Sequence, residues 1–91
     1  MQKNQLYKEI FIEIVDKKIE SNDTNIDYFS NIIRTIINSS LLASEKVFII
    51  KTLHEKYSST YNISDILRKI KNENNLNFLN MELQFKNAGL L

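Results

Sequence analysis

The chain of 91 residues contains no cysteine, no proline and no tryptophan, and only one glycine, one histidine and two alanines. Each shortage removes a class of function. Without cysteine there is no disulfide framework, no thiolate nucleophile and no Cys-based zinc or iron–sulfur site. His54 stands alone, whereas a zinc or non-haem iron site normally takes at least two nitrogen or sulfur ligands. It reads as a partly exposed helix residue beside Glu55. With Gly89 as the single glycine, no phosphate-cradling loop or dinucleotide fingerprint can form, and no serine sits in a glycine-flanked nucleophile elbow. The expectation is a non-enzymatic protein with no catalytic, cofactor-binding or metal-binding residues. The longest apolar runs are four residues at Val47 to Ile50 and three at Ile10 to Ile12. A membrane span needs roughly 18 apolar residues and a signal-peptide core roughly 7, so a soluble, cytoplasmic protein is expected. The missing proline and scarce glycine also withdraw the usual turn punctuation of β proteins.

What the chain does hold is 14 isoleucines, 12 asparagines and 10 lysines. All three have AT-rich codons, so part of the excess reports a genome and not a task. The placement is more informative than the count. From Leu6 to Ile19 the β-branched Ile10, Ile12 and Ile14 alternate, as in a strand. Length favours helix: Leu6, Ile10 and Ile14 form one i+4 row, Tyr7, Phe11 and Val15 a second, and Glu9, Glu13, Asp16 and Glu20 a third. The carboxylates fall within an arc of about 60° and apolar groups occupy most of the remainder. Such a helix needs either a central place in the fold or a second chain.

After a polar break, Thr24 and Asp27 form a helix-start pair, and a second helix is expected over 25–38. It points Ile26, Phe29, Ile32, Ile33, Ile36 and Ile37 inward and Asp27, Ser30, Asn31, Arg34 and Asn38 outward. Ser44 is the expected cap of a third helix over 45–57, which buries Val47, Ile50 and Tyr57 or Ile49 and Leu53, with Phe48 left over. Ser58, Ser59 and Thr60 mark a loop. Asn62 or Ser64 then caps a fourth helix carrying Ile63, Ile66, Leu67 and Ile70, and the asparagine-rich run at 72–75 stops it. Over 76–85, Leu76, Leu79 and Leu83 with Phe78 and Phe85 suit a helix, while Leu79, Met81, Leu83 and Phe85 alternate as a strand does. Helix is the preferred reading, with Gly89 just past its end. The expected fold is all-α, a small bundle of four or five short helices in one domain over 1–91, with 86–91 a frayed tail.

Two surfaces are candidates for function. The first helix offers Phe11, Ile12, Val15 and Ile19 as an apolar interface beside the acidic row Glu9, Glu13, Asp16 and Glu20. Like charges four apart cost roughly 0.2–0.5 kcal/mol per pair, so the row is easiest to retain opposite a basic partner. Residues 41–72 carry six basic groups against three acidic, a balance of +3, whereas residues 1–40 carry five against six, or −1. Lys46, Lys51, Arg68, Lys69 and Lys71 are therefore candidate contacts for nucleic acid or an acidic partner. The leading expectation is a regulatory or adaptor protein acting through helix-mediated protein contacts as a homodimer. A DNA-binding regulator using the basic 46–71 region is the alternative.

One stretch resembles a known family. Ile33, Ile36 and Ile37, then Ser39 and Ser40, then Lys46, Ile49, Ile50 and Leu53, then Asp65, Ile66, Leu67, Arg68 and Lys69 are similar to the pattern of the YmgB/AriR group, small helical bacterial regulators of biofilm and acid resistance that connect two-component signalling. The match covers less than half the chain, and serine stands where that group usually has glycine at the break. The resemblance implies a dimeric, non-enzymatic regulator. In size, lysine content and helix count the chain also resembles the bacteriocin immunity proteins, four-helix bundles of low-GC bacteria, which is a third functional expectation.

Overall fold

The computed structural model describes residues 3–21 and 25–91. Among them the secondary structure is helical with no strand: α1 (Lys3–Glu20), α2 (Ile26–Asn38), α3 (Ala43–Tyr57), α4 (Ile63–Lys71), α5 (Leu76–Leu79) and α6 (Glu82–Asn87). The all-α expectation holds. The ambiguous last segment is helical but broken in two at Asn80 and Met81, so that six helices stand where four or five were expected.

Asparagine side chains set the starts of three helices, because a short amide can accept from the orphan N–H groups of a first turn. The Asn25 Oδ1 accepts from the N–H groups of Asp27 at 2.8 Å and Tyr28 at 3.4 Å. The expected cap Thr24 lies outside the described residues. Asn62 caps α4 through the Asp65 N–H at 3.2 Å, and Asn75 caps α5 through the Phe78 N–H at 3.1 Å. Between those two helices Asn74 takes the left-handed conformation, with φ of 59°, which asparagine tolerates better than most residues. The third helix starts earlier than expected. Ser44 is inside it, and the Glu45 carboxylate instead accepts from the Leu42 N–H at 3.1 Å.

The centre of the fold is α3, which lies against α1, α2 and α6. Its Ile49, Ile50 and Leu53 are fully buried, and they meet Ile33, Ile36 and Ile37 of α2 and Leu67 and Ile70 of α4 in one core. Each such side chain contributes roughly 1.5–3 kcal/mol on leaving water. The Phe29 ring stacks on Tyr61 at 4.0 Å and meets Tyr57 edge-on at 6.3 Å, joining α2 to the loop after α3. Two side chains of α2 fall on the unexpected side. Ile26, expected inward, is exposed, and Ser30, expected outward, is buried with its hydroxyl donating to the Ile26 carbonyl at 2.8 Å.

Residues 86–91 are not a frayed tail. Ala88 and Gly89 end α6 in a Schellman turn: Leu90 N–H donates to the Phe85 carbonyl at 2.9 Å and Gly89 N–H to the Lys86 carbonyl at 3.1 Å. Gly89, with φ of 79°, supplies the left-handed residue the turn needs. Leu90 is thereby folded into the core beside Phe85, which packs on Phe78 at 5.2 Å, and its carbonyl accepts from Ser64 Oγ at 2.7 Å.

Candidate functional site

The face of α1 proposed from sequence as an interface is mostly turned inward. Val15 is 1 % exposed in the core, and Phe11, Ile12 and Ile19 are half-buried against it. A helix apolar over most of its circumference has several faces able to reach the core, and α3 takes the one centred on Val15. The flank toward α3 is fixed by Tyr57, whose hydroxyl donates to Asp16 Oδ1 at 2.6 Å and lies 3.1 Å from the Ile12 carbonyl. Burial and the adjacent Asp16 carboxylate push the Tyr57 phenol well above its ordinary range.

What α1 leaves outside is Leu6, Tyr7 and Ile10, 43 %, 38 % and 42 % exposed. These residues share the rows of Phe11 and Ile14, so the exposed strip runs into a groove between α1 and α2. That groove holds about 280 Å³ and is lined by Phe11, Ile14, Tyr28, Asn31, Ile32 and Thr35. It exists because α1 rests chiefly on α3 and not on α2. At one end the Lys18 ammonium lies 4.4 Å from the centre of the Tyr28 ring, a cation–π distance.

The acidic row borders the strip on its other side and is partly answered within the chain. Glu13 pairs with Lys17 at 3.0 Å, Asp16 with Lys56 at 3.4 Å, and Glu9 accepts from the Gln5 amide at 3.1 Å. Glu9, Glu13 and Glu20 are nonetheless exposed. Asp16 is the member drawn into the fold, through Tyr57.

The basic candidates do not gather into one open face. Lys46 is 8 % exposed, and its ammonium donates to the Ile37 carbonyl at 2.7 Å, at the C-terminal end of α2. The sequence places it in the row Lys46, Ile50, Leu53 and Tyr57, a lysine on the buried stripe, and this was the available sign of its inward position. Arg68 pairs with Asp65 at 2.6 Å, Lys69 reaches Asp27 at 3.8 Å, and Lys71 meets Glu82 at 3.0 Å. Lys51 is exposed on α3. Those pairings lower the local positive potential on which phosphate binding depends.

His54 is half-buried, and its Nδ1 is buried without a hydrogen-bond partner. Among the described residues no group of three or more His, Asp or Glu side chains is placed to hold a metal ion, and no helix is long and apolar enough to cross a membrane. No family model, curated protein or solved structure matches the chain.

Proposed function

We propose that the chain is a small non-enzymatic adaptor that works by helix-mediated protein contact, with the outer face of α1 as its docking surface. The carrying observation is the exposed strip Leu6, Tyr7 and Ile10, continuous with the apolar groove between α1 and α2 and bordered by Glu9 and Glu13. The apolar side chains supply the buried area, and the carboxylates select the charge of what sits beside it. The fitting partner is an amphipathic helix whose apolar stripe fills the strip and groove and whose flank carries lysine or arginine. The dispersed and largely paired cations of α3 and α4 favour this reading over the DNA-binding one.

The test uses two model helices that differ only in flank, one lysine-rich and one glutamate-rich, titrated by fluorescence anisotropy against the full chain. The lysine-rich helix should bind more tightly, weaken as salt rises, and lose affinity to the double variant Leu6→Gln, Ile10→Gln. Equal binding of the two helices, or binding indifferent to those substitutions, overturns the proposal. A photo-crosslinking residue at position 10 then identifies the natural partner.

A further inference from the structure

The groove of the proposed docking surface has two walls that are held very differently. Tyr28, Asn31, Ile32 and Thr35 come from α2, and Phe11 and Ile14 from α1. Because α1 rests chiefly on α3, and α2 packs on α3 as well, the seat of α1 on α3 sets the spacing of the two walls. That seat is slight. Among the described side chains of α1 only Val15 is buried, with Phe11, Ile12, Ile14 and Ile19 half-buried. By contrast α2 buries six side chains in 13 residues and α4 four in nine. The early turns of α1 leave Leu6, Tyr7 and Ile10 outside and meet α3 at Lys8, whose ammonium lies 5.7 Å from the centre of the Phe48 ring, near the outer limit of a cation–π contact.

The firm polar ties gather farther along, at Asp16. One of its carboxylate oxygens accepts from the Tyr57 hydroxyl at 2.6 Å and the other faces the Lys56 ammonium at 3.4 Å, both partners standing in the last turn of α3. Away from that seat α1 has little to keep it helical. Isolated helices of about 15 residues are marginal in water even when alanine-rich. The 18 residues of α1 include the β-branched Ile10, Ile12, Ile14 and Val15 and the like-charged pairs Glu9 with Glu13 and Asp16 with Glu20. Detached, the helix unravels and its amides meet water. We infer that α1 is a detachable wall of the groove, which leaves the fold as a unit while α2 to α6 stay folded, and that the contact of Tyr57 with Asp16 is the latch that keeps it seated. The groove then exists only in the latched chain, and an occupant that touches both walls holds α1 shut. Tyr57 and Asp16 are positioning residues for the docking surface, although neither lines the groove. The coupling to an occupant rests on the adaptor reading; the detachment of α1 stands without it.

The experiment is residue-resolved amide hydrogen exchange of the full chain in low urea. The amides of α1 should exchange through an opening at least about tenfold more populated than the one that frees the amides of α3 and α4, and with a shallower dependence on urea because less surface is exposed. Tyr57→Phe should speed α1 exchange about five- to thirtyfold, the worth of its hydrogen bond. Asp16→Asn, which keeps an acceptor oxygen for Tyr57, should speed it less than Asp16→Ala does. Ile70→Val weakens the core of the remaining body, so it should speed the α3 and α4 amides about two- to twelvefold and leave α1 exchange unchanged, since closed and open chains lose the same contact. The lysine-rich model helix, at saturation, should slow α1 exchange in proportion to its concentration over Kd. The inference is overturned by α1 amides that open together with the core, by α1 exchange indifferent to Tyr57→Phe, or by α1 exchange that follows Ile70→Val. A lysine-rich helix that binds and leaves α1 exchange unchanged overturns it as well. A helix that does not bind removes the adaptor reading alone, and exchange in the free chain then decides whether α1 detaches.

Discussion

Replacing Lys46 with methionine separates the two readings of that residue. If its ammonium is a structural group, the substitution keeps the apolar stem and removes the donor that satisfies the Ile37 carbonyl. That carbonyl is one of the last four of α2, which have no intrahelical partner, and the neighbouring Ile36 carbonyl is already served by the Ser39 N–H and hydroxyl. A hydrogen bond from a charged donor contributes about 1.5–3 kcal/mol net, and the interaction of a cation with the helix C-terminus is largely the same contribution counted another way. Relief of the ammonium's desolvation offsets part of the loss. About 2 kcal/mol of destabilisation is the expected balance, or roughly 8–16 °C in Tm for a domain of this size. In urea at a slope of about 1–2 kcal/mol/M, the midpoint should fall by about 1–2 M. Lys51→Met, on the exposed side of the same helix, should stay within about 0.5 kcal/mol of wild type. A Lys46→Met variant as stable as Lys51→Met refutes the structural reading and returns Lys46 to the list of surface cations.

Three further outcomes are expected. Tyr57→Phe, which cuts α3 loose from Asp16 of α1, should cost about 1–2 kcal/mol at neutral pH. Because burial and Asp16 raise the folded phenol's pKa, the wild type binds more protons than its unfolded chain above about pH 10, so its stability falls as pH rises from there; in the variant this component of the slope, read from urea midpoints, should be absent. Arg34 bridges α2 to the end of α4 by donating to both oxygens of Glu73, at 2.9 and 2.6 Å, and this hydrogen bonding lowers the Glu73 pKa. Its contribution is present above the ordinary carboxylate range and is lost as pH falls through the folded value. Glu73→Gln should therefore cost under about 1 kcal/mol at pH 7, since the Glu73 side chain is 39 % exposed, with the gap to wild type closing in acid; a gap unchanged at acid pH excludes the ion pair as its cause. Gly89→Ala meets no steric obstacle, so its cost, about 1 kcal/mol by thermal denaturation, should come from the left-handed backbone alone; a neutral substitution would show that the Schellman turn does not hold Leu90 in place.

The helices of this chain are legible because isoleucine rows four apart persist over enough residues to separate helix from strand, and because asparagine collects where those rows stop. Even the asparagines discounted as genome bias have structural tasks. Besides the three caps, Asn38 Oδ1 accepts from the side chains of Asn75 at 3.2 Å and Asn77 at 3.0 Å, fastening α5 to the end of α2. Periodicity was less informative about direction. On α1 it shows a wide apolar arc without saying which part α3 covers, so the pattern offers Val15 for an interface and places Leu6 only in an apolar row. The same limit applies to Lys46, where a charge balance summed along the chain could not register that one of the charges closes a helix. The order of the tail depends on Gly89 and on a hydroxyl from Ser64 on a distant helix, neither of which leaves a periodic signal.

The apolar side chains left exposed raise the question of whether the chain depends on a partner to fold. Its accessible surface is 5513 Å², and a folded monomer of 10.7 kDa is expected to expose about 5500 Å². A subunit that completed its core only by assembly would exceed that figure by the area of the missing interface, of the order of several hundred Å² or more. No such excess is present, in keeping with a core closed within one chain by α2, α3, α4, Val15 of α1 and the aromatic side of α5 and α6. The exposed residues Leu6, Ile10, Leu76 and Leu83 are therefore additions to a finished fold, and polar substitutions there should leave its stability nearly unchanged. It follows that any loss of association in those variants is to be read as loss of a contact and not of the fold, and for a small chain that is the condition under which its surfaces can be tested one at a time.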